Sequence, residues 1–475
     1  MILHRTMPML VSKGTINYYF ARSFKREGSN MATDFDTIVI GAGPGGLAAA
    51  YGLAEQQRVL VVEADLWGGT CPNRGCDPKK MLYSAVAARD EARRLQQSGL
   101  DGVPTINWPE LMTFKRQYTQ KIPQGTRSGL KAAGIATIQG TPRFISADQL
   151  QVCDQIYRAA HFIIATGQAP VLPDIEGKQY LQTSTDFLDL SQLPPRIAFV
   201  GGGYIALELA NIAVSAGAQV HIFQHNHRIL RDFPEKDTQL LAAALTAKGI
   251  HFHWDTTLAS VTKHQETYSL ATNAGQQINV DAVFAATGRR PQLTSLALAA
   301  AGVDSTAKGI TVNDHLQTSN PAIYAVGDVL AKSQPKLTPV ASFEGRYVAQ
   351  VILSTDVKAI AYPVIPQVVY TSPEIAQVGV KLDNAKQQPQ RYRILDQDVT
   401  NWYTFNRIKE ATARVTTIFD RQTQHLVGAI VYSSIAEEVI NYLTFLMSKQ
   451  VTKRQLMQMM TAYPTPASDL TYYYG

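Results

Sequence analysis

The sequence contains little cysteine, few charged residues and no long apolar run. Three cysteines in 475 residues argue against a secreted disulfide framework. They favour a reducing compartment, and we expect a cytoplasmic location. No apolar run approaches the roughly 18 residues that a membrane-spanning helix needs. The lysines and arginines form no tract with interleaved aromatic residues, so we expect neither a membrane nor a nucleic acid as a partner.

The first 30 residues differ from the rest of the chain. They carry several lysines and arginines against a single acid, Glu27, and they lack the clean apolar segment of a secretory signal. One interpretation is a disordered or non-native extension over residues 1–31, with the natural start at Met31. A transit peptide for organellar import is the alternative. We expect the extension.

Two of the three cysteines lie in residues 68–80, which read GGTCPNRGCDPKK. Pro72 and Gly75 permit the irregular backbone that would bring the thiols of Cys71 and Cys76 together. A helix is predicted to follow, and its amino end would favour a Cys76 thiolate. Metal ligation is the alternative, but no second Cys/His pair follows at zinc spacing. We therefore prefer a redox-active pair and predict no metal.

A dinucleotide-binding pattern stands near the start of the chain. The β-branched run 36–40 predicts a buried parallel strand, and a turn carrying Gly41, Gly43 and Gly46 opens a helix of small residues. The next predicted strand ends in Glu63. Glycines let the backbone approach a pyrophosphate at a helix amino terminus, and the carboxylate accepts a hydrogen bond from a ribose hydroxyl.

The same pattern recurs about 160 residues later with one change. Gly201 and Gly203 follow a second apolar strand, but the strand after the helix ends at Gln224, without a carboxylate. His225 and Arg231 follow. Two such units predict two dinucleotides. The lost carboxylate and the nearby cations favour NADPH over NADH at the second unit.

The strand-and-turn pattern also predicts the domain organisation. Buried strands closing on Ala-Thr-Gly turns occur at 161–167 and 281–288, and no dinucleotide signature follows residue 347. We predict an α/β fold class with two Rossmann-like dinucleotide-binding domains and a C-terminal α+β domain. The predicted boundaries are 1–31 for the extension, 32–168 with 283–346 for the first domain, 169–282 for the second and 347–475 for the third.

These motifs, in this order, resemble the class I pyridine nucleotide–disulfide oxidoreductases, which include glutathione reductase, lipoamide dehydrogenase and mercuric reductase. The resemblance runs from about Asp34 to the end and rests on the GGTC-x-N-x-GC-x-PKK stretch, both glycine turns, and the ATG, ATGR, GD and LTPVA segments. It implies FAD on the first unit and NAD(P)H on the second. It also implies a homodimer formed through the C-terminal domain.

The resemblance implies roles for individual residues. Cys76 would be the thiol beside the flavin and Cys71 the outer thiol that attacks the substrate. Lys80 would lie beside flavin N5 and pair with Glu208, and Tyr204 would cover the flavin until nicotinamide arrives. The predicted cofactor-binding positions are Gly41, Gly43, Gly46, Glu63, Gly69, Thr70, Thr166, Gly167, Gly201, Gly203, Tyr204, Ile205, His225, Arg231, Gly288, Arg289, Gly327, Asp328 and Thr338.

The sequence departs from the family near its end. Disulfide reductases of the family carry a histidine where this chain has Tyr463, and a phenol is a poor proton shuttle at neutral pH. Mercuric reductases carry a tyrosine there, but they end in a vicinal cysteine pair, and residues 471–475 contain none. Asp77 is a second departure. It would either oppose a thiolate at Cys76 or cap the following helix.

These observations predict an FAD-dependent NAD(P)H:disulfide oxidoreductase that resembles glutathione reductase. Electrons would pass from NADPH through FAD to a Cys71–Cys76 disulfide and on to a small oxidant, a disulfide above all, with Tyr463 of a second copy as hydrogen-bond donor. A metal-ion or quinone reductase is one alternative. A flavoprotein redox sensor with little turnover is another.

Overall fold

A computed structural model describes residues 33–475, and the predicted extension over residues 1–31 lies outside that range. Among the described residues, no helix is both long and apolar enough to cross a membrane. Mixed α/β architecture with a separate C-terminal sheet confirms the predicted fold class.

Within residues 33–475, seven strands form the first sheet. Its centre is parallel, because apolar strands such as Val59–Glu63 are buried along their whole length and helices cover them. An antiparallel hairpin extends one edge, and a short strand pairs with Gln155–Ile164. The strand order is Ala136–Gln139, Val59–Glu63, Thr33–Ile40, Gln155–Ile164, Gln149–Val152, Pro142–Ser146, with Ile323–Ala325 beside Gln155–Ile164.

The second sheet is parallel and corrects one predicted boundary. Its strand order is Ile250–His253, Gln219–Phe223, Arg196–Val200, Ala282–Ala285. The boundary predicted between residues 282 and 283 falls inside the last of these strands. The sequence does not show that this strand pairs with Arg196–Val200, so it did not indicate that the strand belongs to the second domain. An antiparallel sheet packs beside this one, with strands Leu258–His264, Thr267–Thr272 and Gln277–Val280.

Short paired strands join the two dinucleotide domains. Gln168–Pro170 runs antiparallel to Arg289–Pro291, so the chain leaves the first domain and returns to it at one place. A small hairpin, Ser305–Thr306 with Gly309–Ile310, follows the return.

The C-terminal sheet is antiparallel throughout. Its order is Gln367–Val369, Glu374–Gly379, Leu426–Ser433, Arg414–Asp420, Tyr392–Asp398. Ala436–Ser448 packs on it and buries its apolar face.

Few of the α-helices within residues 33–475 have a side-chain N-cap. Proline occupies the first turn of several, where its missing N–H is harmless. In chain order they are Pro44–Leu53, Thr70–Arg74, Cys76–Arg94, Trp108–Thr119, Ile122–Ala132, Ser184–Phe187, Tyr204–Ser215, Glu235–Ala247, Thr338–Leu353, Leu382–Lys386, Tyr403–Asn406, Ala436–Ser448 and Lys453–Leu456.

The helix Cys76–Arg94 is held between the second sheet and the C-terminal sheet. Leu82 and Val86 are fully buried in one apolar cluster that also contains Phe199 of the second sheet and Ile375 of the C-terminal sheet. Full burial of each such side chain contributes about 2 kcal/mol. The helix that begins with Cys76 is therefore fixed by two domains at once.

Candidate active site

The first glycine turn brings a strand end and a helix start into close contact. Gly41 has φ +107°, and a Cβ there would lie 2.5 Å from the Ala165 carbonyl oxygen. A Cβ on Gly46 would lie 1.9 Å from the Gly41 carbonyl oxygen, so only glycine fits. The helix Pro44–Leu53 starts at this turn, and its amino end faces the cavity described below.

Glu63 is the last residue of the neighbouring strand, and both of its carboxylate oxygens accept hydrogen bonds. Oε2 accepts from the Ala42 backbone N–H at 2.7 Å, and Oε1 accepts from the Asp65 N–H at 2.8 Å. The side chain is nearly buried and lines the same cavity. The carboxylate is therefore rigidly placed beside the glycine turn.

The second glycine turn repeats this geometry without the carboxylate. Gly201 has φ +111°, and a Cβ would lie 2.5 Å from the Ala286 carbonyl oxygen. Gln224 ends the adjacent strand, and its Nε2 donates to the Arg228 carbonyl oxygen at 2.9 Å. Arg231 Nη2 lies 3.1 Å from His225 Nε2, and both side chains line the cavity.

One cavity of about 1670 Å³ connects both glycine turns and both cysteines. Of the predicted site residues, Gly46 lies behind its wall, and Tyr463 is 81% exposed and lies elsewhere. The predicted residues that do line it are Gly41, Gly43, Glu63, Gly69, Thr70, Cys71, Cys76, Lys80, Thr166, Gly167, Gly201, Gly203, Tyr204, Ile205, Glu208, His225, Arg231, Gly288, Arg289, Gly327, Asp328 and Thr338.

The two cysteines are free thiols placed next to each other. Cys71 lies in the short helix Thr70–Arg74, and Cys76 begins the next helix. The neighbouring Cys71 thiol, Thr338 Oγ1 at 3.7 Å and the Lys79 ammonium together lower the pKa of Cys76 to about 6. The contact between the two thiols raises the pKa of Cys71. Above pH 6 the pair therefore carries its charge on Cys76 and its proton on Cys71. A disulfide between the two stays a prediction.

Asp77 contacts Cys71 and does not cap the helix. Its Oδ1 accepts from Cys71 Sγ at 3.7 Å, and its Oδ2 accepts from the Tyr118 hydroxyl at 2.7 Å. The helix cap is Gly75, and no side chain bonds to the helix there. Of the two roles predicted for Asp77, capping is wrong.

The predicted pairing of Lys80 with Glu208 is wrong by one residue. Glu208 accepts from Lys79 Nζ at 3.0 Å and from the Tyr370 backbone N–H at 2.8 Å. Lys80 Nζ instead lies 2.6 Å from Glu437 Oε2. Consecutive residues on a helix point about 100° apart, so the register of the helix decides which lysine faces Glu208.

Tyr370 is a site residue that the sequence did not indicate. Lys79 Nζ lies 4.0 Å and Lys80 Nζ 3.9 Å from its ring centroid, which places both ammonium groups against the aromatic face. Tyr370 comes from the C-terminal domain, about 290 residues after the lysines, and no motif marks it. Beside it, burial raises the pKa of Glu374 to about 8.

Tyr204 and Asp328 present polar groups to the cavity. Tyr204 is 50% exposed to the cavity, but the protein around it removes bulk solvent and raises the pKa of its hydroxyl to about 12. Burial likewise raises the pKa of the Asp328 carboxyl. Arg289 donates to the Gln168 carbonyl oxygen and Thr166 to that of Gln292. These bonds fix the two strands that join the dinucleotide domains.

Comparison with known proteins agrees with this arrangement. The family model described as pyridine nucleotide-disulphide oxidoreductase matches residues 35–345. The chain belongs to this family. A model of the family's dimerisation domain matches residues 365–472, which lie within the predicted C-terminal domain.

Several characterised members of the family are similar to this chain over most of its length. Glutathione reductase of Pisum sativum is 34% identical over 370 residues, 75% of this chain and 67% of that protein. Dihydrolipoyl dehydrogenase of Chlamydia pneumoniae is 31% identical over 92% of this chain and 95% of its own. Mercuric reductase of Staphylococcus aureus is 31% identical over 94% of this chain and 82% of its own length.

Family membership makes the chain an enzyme of the FAD- and pyridine nucleotide-dependent class. The residues present fit these cofactors. The Gly41 and Gly46 positions leave no room for a Cβ, as the tight turn and the close helix–strand packing of a dinucleotide-binding unit require, and Glu63 offers a fixed acceptor beside them. The cavity reaches from there past both cysteines to the second glycine turn, and its volume could hold two dinucleotides.

Proposed function

We propose that this enzyme uses NADPH to reduce a small disulfide, through FAD and the Cys71–Cys76 pair. The observation that carries the proposal is the asymmetry of the thiols. Cys76 contacts Thr338, which together with Lys79 lowers its pKa, whereas Cys71 contacts Asp77 and its pKa is raised by Cys76 and by burial. An anionic inner thiol and a protonated outer thiol suit electron entry at one sulfur and substrate attack from the other.

FAD would be held by the first glycine turn and Glu63, with Asp328 and Thr338 toward its ring. When bound, the flavin supplies two-electron transfer between the nicotinamide and the thiol pair. Lys79 holds a positive charge beside Cys76, and Glu208 fixes that lysine. The lysine that supports the anionic thiol is therefore Lys79 and not Lys80.

NADPH would bind at the second glycine turn. Gln224 bonds to its own loop, and the position lacks the carboxylate that would repel a 2′-phosphate. Arg231 and His225 lie side by side at the cavity wall, where a phosphate could accept from both. These features support NADPH over NADH.

A homodimer would complete the site. The family's dimerisation domain covers residues 365–472, and Tyr463, with its neighbours Met457, Met459 and Met460, exposes a large apolar surface. In a dimer through this surface, Tyr463 would serve the active site of the second copy as a hydrogen-bond donor. A reducing compartment such as the cytoplasm remains our proposed location.

The test is reduction of the purified enzyme followed by a panel of acceptors. Anaerobic NADPH should expose two thiols that react with a thiol reagent, and disulfides should reoxidise the enzyme. Cys71→Ser should abolish disulfide turnover, whereas Cys153→Ser, at an exposed cysteine outside the cavity, should not change it.

Other outcomes distinguish the alternatives. Turnover with Hg²⁺ or quinones that survives Cys71→Ser would favour a metal-ion or quinone reductase. Slow reoxidation by every acceptor would favour a redox sensor.

A further inference from the structure

The outer thiol has a carboxylate of its own chain within hydrogen-bond distance. Cys71 Sγ donates to Asp77 Oδ1 at 3.7 Å, and Asp77 also lines the cavity. Both residues belong to the segment that carries the redox pair. The contact therefore exists within one subunit and does not depend on a partner.

The carboxylate is held in this position by a second group. The Tyr118 hydroxyl, at the end of the helix Trp108–Thr119, donates to Asp77 Oδ2 at 2.7 Å. This bond raises the pKa of Tyr118 to about 12, so the phenol remains a neutral donor at physiological pH. One oxygen of Asp77 is thus occupied by Tyr118, and the other is left facing Cys71.

Thiol–disulfide exchange at Cys71 requires a group that transfers a proton. An attacking thiol must lose its proton, and the leaving thiolate of the substrate must gain one. At the terminal position where related disulfide reductases carry histidine, this chain has Tyr463, whose phenol is a poor base at neutral pH.

We propose that Asp77 is a catalytic residue that moves the proton between Cys71 and the leaving thiolate, with Tyr118 as its positioning residue. The proposal rests on the proposed disulfide reductase function and deepens it. It assigns proton transfer to the same subunit that carries the thiols.

The step balances as follows. Cys71 Sγ attacks one sulfur of the substrate disulfide R–S–S–R′, the S–S bond breaks, and a Cys71–S–S–R bond forms. The Cys71 proton passes to Asp77 and then to R′–S⁻, which leaves as R′–SH. The Cys76 thiolate then attacks Cys71, releases R–S⁻ and restores the intramolecular disulfide. The two electrons come from the reduced thiol pair.

The timing of the transfer follows from the relative basicities. A carboxylate is a weaker base than a thiolate, so complete transfer before the attack is unfavourable. As the new S–S bond forms, the sulfur loses its affinity for the proton, and transfer to the adjacent carboxylate becomes favourable. Proton transfer therefore accompanies the attack, and its value depends on how basic the leaving thiolate is.

That dependence supplies the test. Turnover of the holoenzyme with NADPH is measured with cystine, whose leaving thiolate is basic, and with 5,5′-dithiobis(2-nitrobenzoate), whose leaving thiolate needs no proton. In Asp77→Asn the ratio of cystine rate to aryl disulfide rate should fall about 10²-fold, the usual size of lost proton-transfer help. Asp101→Asn removes the same charge at an exposed site outside the cavity and should leave the ratio unchanged.

Tyr118→Phe should lower the same ratio by a smaller factor, because Asp77 keeps its carboxylate but loses its fixed orientation. Equal losses with both disulfides in Asp77→Asn would overturn the proposal, since they would mean a structural role only. A higher cystine rate would also overturn it, because it would show that the carboxylate only opposes ionisation of Cys71.

A measurement without turnover separates this proposal from the proposed function. The protein is reduced with dithiothreitol and desalted, and its single reaction with cystine or with 5,5′-dithiobis(2-nitrobenzoate) is followed by mass spectrometry as loss of the free Cys71 thiol. Relative to Asp101→Asn, Asp77→Asn should slow the reaction with cystine more than the reaction with the aryl disulfide, and equal changes with both disulfides would contradict the role of Asp77. If the unaltered enzyme reduces neither disulfide with NADPH, the proposed function fails, and the single reaction still decides whether Asp77 takes part in proton transfer.

Discussion

The two glycine turns use the same backbone geometry to different ends. At Gly41 and at Gly201, a Cβ would lie 2.5 Å from a carbonyl oxygen of the neighbouring strand end. The two turns differ five residues after their first glycine. Gly46 packs directly against the Gly41 carbonyl group, whereas the matching residue of the second turn is Ala206, which is fully buried. The first helix therefore starts closer to its strand than the second.

The helices that follow these turns also differ in charge. Ala48 and Glu208 stand at matching positions, seven residues after Gly41 and Gly201. Glu208 reaches Lys79 beside the redox thiols, whereas the first helix, Pro44–Leu53, contains no acidic residue. The first unit is therefore built for close packing, whereas the second also places a charged group near the thiols.

The largest expected effect comes from exchanging the third residue of each turn. Gly46→Ala puts a Cβ 1.9 Å from the Gly41 oxygen, and we expect loss of most bound flavin and about 3 kcal/mol of stability. Ala206→Gly should cost about 1 kcal/mol, the helix propensity difference. Flavin absorbance per protein and denaturant unfolding measure both. Similar losses in the two variants would show that the turns are equivalent.

A smaller effect is expected at the cations of the second unit. Arg231→Glu removes a donor and adds a repelling charge, so kcat/KM for NADPH should fall about 10²-fold, as for a lost charge-assisted hydrogen bond. The value for NADH should change little. Lys131→Glu makes the same charge change at an exposed helix position outside the cavity. If the ratio of kcat/KM for NADPH to kcat/KM for NADH were the same in both variants, the NADPH assignment would be wrong.

The smallest expected effect is on the pKa of Cys76, near which Glu208 of the second unit holds Lys79. Lys79 lowers the pKa of Cys76, so Lys79→Met should raise that pKa from about 6 by about one unit. Ultraviolet thiolate absorbance of the reduced protein, followed against pH, measures the shift. Adding Glu208→Gln removes the carboxylate that would otherwise be left unpaired.

Lys80→Met is the matched control for this shift. Lys80 pairs with Glu437 instead of Glu208, so its loss should move the Cys76 pKa less. An equal or larger shift with Lys80→Met would contradict the assignment of Lys79 as the lysine beside the thiol.

Local patterns in the sequence predicted most of the fold. The apolar strands, the glycine turns and the absence of a third turn after residue 347 were sufficient for the two dinucleotide domains and the C-terminal sheet. The domain boundary at 282 failed because a strand's sheet partner is a long-range choice. Ala282–Ala285 pairs with Arg196–Val200, some 85 residues earlier.

Site residues that lie within one sequence motif were predictable. Contacts between segments that are distant in the sequence were less so. The cysteines, Glu63 and the cations after Gln224 are local signals. The rotation of helix Cys76–Arg94 against two other domains decides which of the two adjacent lysines contacts Glu208. It also decides that both lysines lie against Tyr370. No pattern within the helix records that rotation. The contact of Asp77 with Tyr118 likewise joins two helices that only the tertiary fold brings together.

The carboxylate of Glu208 binds Lys79 from the redox segment and the backbone of Tyr370 from the C-terminal sheet, while its own helix belongs to the nucleotide domain. Three stretches of polypeptide thus meet at one carboxylate oxygen. A protein cut before Tyr370 would retain both glycine turns and both cysteines, yet it would lose the aromatic surface under the lysines and a donor that orients their counterion. The chain is modular in its sheets, but its redox chemistry cannot be excised as a module.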